Sequence, residues 1–516
     1  MTAIAVTPRA TRREWIGLAV LALPCLLYSM DLTVLNLAVP QLSADLKPTS
    51  SQLLWIVDIY GFMIAGSLIT MGTLGDRIGR RRLLLIGAGA FGVASVLAAF
   101  SSSAAMLIAA RALLGVAGAT LAPSTLSLIR NMFLDPAQRT FAIGVWITSY
   151  SAGGAIGPLL GGVLLEHFWW GSVFLAGVPV MALLLLTGPV LLPEYRDPEA
   201  RRFDLASAAL SLAAVLPVIY GLKQTAERGI SGVTVVAILT GLIMGTAFVR
   251  RQRRLADPLI DPRLFRVPAF SAALATYALG TFVTFGAFLF IAQYLQLVLG
   301  LSPLRAGLWL LPFFGGFIVG SMLAPAIVRR VRPAYVMAAG LVLAACGFGL
   351  LAQVNAASGL APLVAGSLVV SLGLAPVFTL TNDLIVGNVP PERAGAASAI
   401  SETGSELGGA LGIAILGSIG SAVYRGAMAD AIPEGVPSEA AEAARATLGA
   451  AVAIAGRLPD DVGAALLAAA RGAFTQSLEL TASLCAVAAL GIAFLVAVLL
   501  RQVPPSRESR LDASGT

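Results

Sequence analysis

Five charged residues stand where charge is costly. Asp31, Asp58, Arg111, Glu402 and Glu406 each lie inside an otherwise apolar stretch. A charge at mid-bilayer costs at least about 2.5–3.5 kcal/mol on insertion scales, so one that is kept there is a candidate for work on ions or substrates. Glu402 and Glu406 are one helical turn apart and share a helix face. At 1.5 Å per residue they lie about 10 and 16 Å from the near end of their segment, which brings Glu406 close to mid-membrane. Asp31, Asp58 and Arg111 lie about 13, 10 and 9 Å from the opposite face. At similar depth, two anions and one cation could form a partly compensated cluster. Burial and a second carboxylate oppose ionisation and an arginine favours it, a balance that can bring a carboxyl into the range proton coupling requires. Arg111 serves equally well as an ion-pair partner holding two spans together. A carboxylate in an apolar cavity attracts a proton or a lipophilic cation. Trp55, Tyr60, Trp146 and Tyr150 offer ring faces to such a cation. Asp383 and Glu479 lie near span ends, where a structural role is expected.

The elements that must position these groups are membrane spans. The chain has 516 residues, 58% of them hydrophobic and only 12% charged, with a mean hydropathy of +0.87. That composition belongs to a polytopic all-α membrane protein. Apolar runs at roughly 15–39, 52–74, 83–101, 105–129, 140–165, 170–193, 205–222, 233–250, 268–299, 303–328, 334–353, 359–385, 395–422 and 474–500 give fourteen spans of about 20 residues or more. The first run is too long for the core of a signal peptide. Most of the 34 lysines and arginines fall on the side of the N-terminus, which puts both ends in the cytoplasm. The net charge of +7 is dispersed over short turns and does not suggest nucleic-acid binding. Residues 423–473 form one long outer segment, with Ser438–Gly456 and Asp460–Arg471 reading as short amphipathic helices that could cap the outer opening.

Two glycine motifs carry further information. Gly72-Thr73-Leu74-Gly75-Asp76-Arg77-Ile78-Gly79-Arg80-Arg81-Arg82 joins spans two and three. Its glycines allow positive φ and close helix approach, and its arginines fix the side. Met71–Leu83 aligns weakly with Met322–Ala334 at an offset of 251, and the second copy keeps the basic turn but lacks the acid. Two six-span halves therefore flank an inserted pair, spans seven and eight. Span five contains Gly153-Gly154-Ala155-Ile156-Gly157-Pro158-Leu159-Leu160-Gly161-Gly162, where Pro158 removes a backbone donor and the glycines permit close contact. Such a helix suits a seal or pivot.

These motifs resemble those of the major facilitator superfamily. The basic turn is similar to its G-x-L-x-D-R-x-G-R-R-R signature, and span five to the G-x-x-x-G-P-x-x-G-G motif of its antiporters. Leu107–Gly115, with Arg111 and Gly115, resembles the R-x-x-x-G motif of span four, a region tied to proton coupling. Met30-Asp31-Leu32-Thr33-Val34-Leu35-Asn36-Leu37-Ala38-Val39-Pro40, Trp55 with Tyr60, Tyr294–Gly307, Pro390–Ser398 and Glu402–Gly409 resemble signatures of the fourteen-span drug:proton antiporter family. The resemblance covers most of residues 10–500 and implies the facilitator fold of two six-helix bundles plus two inserted helices.

The expected division is an N-terminal bundle over 1–199, inserted helices over 200–258 and a C-terminal bundle over 259–516. The expected function is proton-coupled export of small amphipathic, cationic compounds across the bacterial inner membrane by a monomer. Proton coupling falls to Asp31, Arg111 and Asp58. Substrate contact falls to Glu406, Glu402, Asp58, Trp55, Tyr60, Trp146 and Tyr150. The conformational switch comprises Gly72, Gly75, Asp76, Arg77, Gly79, Arg80, Gly153, Gly157, Pro158, Gly161 and Gly162. A dedicated exporter of one self-made antibiotic or a lipid is the alternative, and a sensor or scaffold of the same fold is a more distant one. His167 is the only histidine, so no metal site or hydrolytic triad is expected. There is no Gly-x-x-x-x-Gly-Lys-Ser/Thr loop, and the reading requires no cofactor. Cys25, Cys346 and Cys485 read as packed thiols.

Overall fold

A computed structural model describes residues 9–196, 204–255, 258, 264–328, 330–354, 360–387 and 394–501. Among them the helices are α1 (Arg12–Leu46), α2 (Ser50–Ile78), α3 (Arg80–Ala99), α4 (Ala104–Gly118), α5 (Leu121–Met132), α6 (Pro136–His167), α7 (Ser172–Leu175), α8 (Gly177–Leu191), α9 (Leu205–Arg228), α10 (Gly232–Arg254) and α11 (Pro268–Gln293). They continue with α12 (Pro303–Ile327), α13 (Pro333–Leu351), α14 (Leu360–Gly387), α15 (Ala394–Ala429), α16 (Ser438–Ala446), α17 (Leu448–Ala455) and α18 (Asp460–Leu499). Thirteen stretches, counting α4–α5 and α7–α8 as one each, are long and apolar enough to cross a membrane. The 32-residue α6 supplies the fourteenth crossing.

Local chemistry sets the helix starts. Thr11 with Glu14 and Thr49 with Gln52 form capping boxes that satisfy the first free amides of α1 and α2. Asp135 and Ser302 cap α6 and α12, each followed by a proline whose missing donor costs nothing at that position. Several helices outrun their apolar cores. Helix α1 continues to Leu46 and α9 to Arg228, and both extensions change what their polar residues can reach.

The segment 423–473 is not one long loop. Helix α15 runs to Ala429, and Asp460–Arg471 are the first turns of the 40-residue α18 rather than a separate amphipathic piece. Alanine-rich sequence with no proline between Asp460 and Leu499 carries the helix straight on into the span. The remaining connection holds α16 and α17. These lie over the end of the molecule away from the N-terminus: Ser50 Oγ donates to Ala446 O at 2.5 Å and Tyr424 Oη to Ala444 O at 2.9 Å. The end that carries Arg12 and the α2–α3 turn is called the basic end below, and the other the capped end.

Each six-helix bundle is held by a glycine ladder. Gly153, Gly157 and Gly161 on α6 face Leu26, Met30 with Thr33, and Val34 on α1 so closely that no Cβ would fit. Gly404, Gly408 and Gly412 on α15 face Leu274, Ala278 and Phe282 on α11 in the same way. The two ladders are related by the offset of 251 that relates the basic turns. The inserted pair sits outside both bundles. Helix α9 packs on α2 and α15, where Phe62, Ile219, Ala410 and Ala414 form a buried cluster, and α10 packs on α9 with Val236, Leu242 and Ile243 exposed. The expected boundaries at 199/200 and 258/259 fall at the edge of or outside the described residues, as does part of Pro390–Ser398.

Candidate functional site

Contacts between the two bundles gather in the capped half. Gly162 and Pro158 on α6 meet the start of α12: a methyl added at Gly162 would stand 2.7 Å from Leu304 Cα and 3.0 Å from Pro303 O. A Cβ at Gly307 would stand 2.4 Å from Pro158 O. On the other side of the molecule, Gly61 of α2 faces Ala410 of α15, and Leu54 faces Gly417. Gln296, in the π-helical turn Tyr294–Val298 after α11, donates to Leu37 O at 3.1 Å. Among the described residues these contacts join the two bundles in the capped half. The span-five motif thus has two faces. Its Gly153, Gly157 and Gly161 build the N-terminal bundle, while Pro158 and Gly162 seal one bundle against the other.

Glu406 sits at this seam. It projects from α15 about 18 Å from the start of that helix at 1.5 Å per residue. Its Oε1 accepts a 2.7 Å hydrogen bond from Tyr28 Oη of α1, so the bond crosses from one bundle to the other. Its Oε2 lies 3.9 Å from where a Cβ of Gly61 on α2 would stand. Both Glu406 and Glu402, one turn nearer the basic end, are half-buried. Aromatic rings surround the Tyr28 hydroxyl. Tyr28 meets Tyr150 edge-on with centroids 5.5 Å apart and Tyr60 at 6.2 Å, and Trp146 stacks edge-on against Tyr150 at 4.8 Å. Trp146 Nε1 donates to Thr125 Oγ1 at 2.9 Å, which fixes its ring. The expected residues Glu406, Tyr60, Trp146 and Tyr150 are therefore brought together, and Tyr28 joins them although sequence reasoning passed over it.

Asp31 and Arg111 meet as expected. The guanidinium Nη1 is ion-paired to Asp31 Oδ2, Nε donates to Ile56 O at 3.1 Å, and Nη2 to Val57 O at 3.4 Å. The Arg111 side chain is 1% exposed, and its Cζ lies 4.6 Å from the Tyr60 ring centroid. One turn on, Gly115 lets α4 touch α2: a Cβ there would stand 2.6 Å from Tyr60 O. That approach is what the Arg-x-x-x-Gly spacing provides. Because α1 extends to Leu46, Asp31 lies about 22 Å from the capped end of its helix, deeper than the 13 Å expected.

Asp58 departs from the expected cluster. Its Oδ2 is 2.6 Å from Lys223 Nζ, and both side chains are 0% exposed. The ammonium also lies 3.9 Å from the Trp55 ring centroid. The apolar run at 205–222 predicts a span that ends just before Lys223. Instead α9 continues to Arg228 and carries it inside. Asp58 and Trp55 are accordingly engaged by the inserted helix, not by Asp31 and Arg111.

The basic turn is tighter than a loop. Helix α2 runs to Ile78, Gly79 alone breaks it at φ 109°, and α3 starts at Arg80. Asp76 pairs with Arg80 across the break at 2.5 Å. Arg80 packs its Cδ 2.9 Å from where a Cβ of Gly75 would be. The turn is stapled to the residues after α8: Arg80 N donates to Tyr195 O at 2.8 Å, Arg81 Nη1 to Leu192 O at 3.0 Å, and Arg81 N to Glu194 Oε1 at 3.1 Å. Arg77 is exposed, and Gly72 lies against Pro123 of α5. Glu194 and Tyr195 were not anticipated, because their role depends on α8 ending beside α3. Among the described residues no group of histidine, cysteine or acidic side chains could hold a metal ion.

Comparison with known proteins agrees with this architecture. Residues 21–413 match the profile of the Major Facilitator Superfamily. The chain is 45% identical over 507 residues to the multidrug efflux pump LfrA of Mycolicibacterium smegmatis, covering 97% of this chain and all of that protein. It is 37% identical over 500 residues to the methyl viologen resistance protein SmvA of Salmonella typhimurium, covering 95% and 100%. The crystal structure of a bacterial homologue of the human lysosomal transporter Spinster superposes with a TM-score of 0.68 at 19% identity, covering 96% and 99% of the two chains. With its motifs seated as these helix contacts require, the chain is a member of the major facilitator superfamily of membrane transporters.

Proposed function

We propose that this protein is a proton-coupled antiporter that exports small amphipathic cations by alternating access. The observation that carries the reading is the Tyr28–Glu406 hydrogen bond, which places an acid among aromatic rings at the joint between the two bundles. Efflux and resistance proteins align with the chain from end to end, which supports a drug as the cargo. A lipophilic cation entering from the basic end gains the Glu406 carboxylate and the faces of Tyr28, Tyr150 and Trp146. Glu402 extends the acidic wall toward the entrance. The buried Asp31–Arg111 pair is the proton-coupling element: protonating Asp31 releases Arg111, whose other bonds go to the backbone of α2. Helix α2 also forms the Gly61–Ala410 contact that closes the seam, so a change at Asp31 bears directly on closure.

In this reading the basic end is cytoplasmic, both termini lie inside, and the monomer resides in the bacterial inner membrane. The N-terminal bundle occupies 1–199, the inserted pair 200–258 and the C-terminal bundle 259–516. The turn containing Asp76, Arg80 and Gly79 keeps α2 and α3 rigid against α8. The energetics are sufficient. One pH unit supplies about 1.4 kcal/mol per proton, and 100 mV supplies about 2.3 kcal/mol per net charge moved. A one-for-one exchange of proton for monocation is electroneutral and sustains about a tenfold gradient per pH unit. The test is ethidium efflux from proteoliposomes under an imposed pH gradient, with Glu406→Gln and Asp31→Asn as variants. Native protein effluxes, Glu406→Gln loses cation transport, and Asp31→Asn loses the response to the gradient. Gradient-driven efflux that survives both substitutions would refute the assignment.

A further inference from the structure

Helix α9 belongs to neither six-helix bundle, yet it lies across the line where α2 of one bundle meets α15 of the other. Its two attachments differ in kind. Toward α15 the contact is apolar and small-sided: Ile219, Leu216 and Leu222 against Ala410, Ala414, Leu407 and Leu411. Toward α2 there is a buried ion pair, Lys223 with Asp58 at 2.6 Å, and a cation–π contact from the same ammonium to Trp55 at 3.9 Å. Neither charged group has a further hydrogen-bond partner among the described residues. Each is thus compensated only while α9 and α2 stay together. Separating them would strand two charges in a dry interior, whereas moving α9 along α15 exchanges one apolar contact for another. A second contact with α2 lies nearer the basic end, where Leu212 packs into the space left by Gly66.

We propose that Lys223 is a positioning residue for transport. It clasps Asp58 so that the inserted pair α9–α10 travels with the N-terminal bundle and slides on α15 when the cavity changes face. The inserted helices then act as a shutter on one seam, keeping lipid out of the gap between α2 and α15 while α6 and α12 meet directly on the other. The proposal rests on the transporter reading above, and efflux by the native protein is the control that separates failure of the one from failure of the other.

Cross-linking tests which partner α9 follows. In a background with the exposed Cys346 replaced by alanine, Gly66→Cys with Leu212→Cys ties α9 to α2, and Ala410→Cys with Ile219→Cys ties α9 to α15. The first cross-link leaves ethidium efflux within twofold of the reduced protein. The second lowers it at least tenfold, and reduction restores it. The reverse pattern, or no effect of either cross-link once formed, overturns the proposal. Charge removal gives an independent reading. Lys223→Met strands Asp58 and lowers efflux at least tenfold. Adding Asp58→Asn to it recovers most of that loss and restores the thermal stability of the detergent-purified protein. A double variant that folds but stays as inactive as Lys223→Met would show that Asp58 acts on its own in transport, and the clasp would be wrong.

Discussion

Gly162 offers the sharpest test of how the capped half closes. An added methyl at this position would stand 2.7 Å from Leu304 Cα and 3.0 Å from Pro303 O. Both atoms are backbone, and both belong to the opposite bundle, so no side-chain rotation relieves the contact. Helices α6 and α12 must separate. Overpacking of this size costs about 1–3 kcal/mol. The cost arises only in the state in which the capped half is closed, so it acts on the equilibrium between states and not on the fold. A bias of about 1–3 kcal/mol shifts a two-state ratio by about 5- to 150-fold. Gly162→Ala is therefore expected to populate the form open at the capped end. Spin labels at the exposed Glu166 and Arg305, which flank the α6–α12 contact, report this as a longer component in the pulsed-EPR distance distribution. Gly161→Ala is the control. Its methyl would press on Val34 of the same bundle, so it lowers thermal stability without changing the distance. A native distribution in well-folded Gly162→Ala, or the same change in both variants, would refute the assignment of these neighbouring glycines to different jobs.

Three further substitutions probe separate links. Tyr28→Phe removes a hydrogen bond to a charged acceptor, worth about 1.5–3 kcal/mol; the KM for a lipophilic cation should rise about tenfold or more, and an unchanged KM in steady-state efflux would detach Tyr28 from the cargo. Arg111→Met leaves Asp31 buried without its partner, a loss of about 3–5 kcal/mol. Folded yield should fall, and pairing it with Asp31→Asn should recover yield but not gradient-driven efflux; recovered coupling would show the pair to be structural only. Gly79→Ala forces an L residue to φ 109° and drives its methyl into the Glu194 carboxylate; strain in so sparsely populated a backbone region is about 1–3 kcal/mol, so the melting temperature should drop, and an unaltered melt would mean that the turn relaxes without the α8 staple.

The spans were legible because a membrane demands long unbroken apolar runs, and Asp31 and Arg111 because a charge inside such a run needs a partner; depth counted along the apolar run misplaced Asp31, since α1 extends to Leu46. What escaped has physical causes. Tyr28 sits in an apolar run, and its phenol gains meaning only when α15 from the other bundle brings Glu406 to it. Lys223 follows directly on the apolar residues of α9 and precedes Gln224, Thr225 and Glu227, so it reads as a helix-end anchor. A signal was present: Lys223 is one of two lysines in the chain, and it lies one turn beyond Ile219 on the face that packs inward. The cap helices were visible as amphipathic segments, but alanine-rich sequence gave no sign that Asp460 onward would fuse with the final span. Asp76 pairs with Arg80 one turn on; that the turn is also fastened to the residues after α8 depended on a neighbour brought close only by the fold.

The internal repeat explains where the chemistry lies. At an offset of 251, Gly153, Gly157 and Gly161 correspond to Gly404, Gly408 and Gly412, and both ladders bind the first helix of their own bundle. The scaffold has been kept in both halves, so a difference at matched positions is a difference in work and not in packing. Ala155 on α6 corresponds to Glu406 on α15: the C-terminal half carries the acid at the seam. Pro158 corresponds to Gly409: the N-terminal half carries the kinked helix that meets α12 through bare backbone. Asp76 corresponds to Ile327: the stapled basic turn belongs to the N-terminal half. Arg111, with Asp31, is also on that side. In the proposed mechanism cargo recognition and charge coupling are thus divided between halves whose relative motion is the transport step. Tyr28 is the group that touches both, since it lies on α1 three residues from Asp31 and donates to Glu406. Any coupling between proton and drug has a short physical route through α1, and Tyr28→Phe combined with Asp31→Asn should therefore show non-additive effects on cation KM, whereas strict additivity would mean that the two halves communicate only through the sliding of whole bundles.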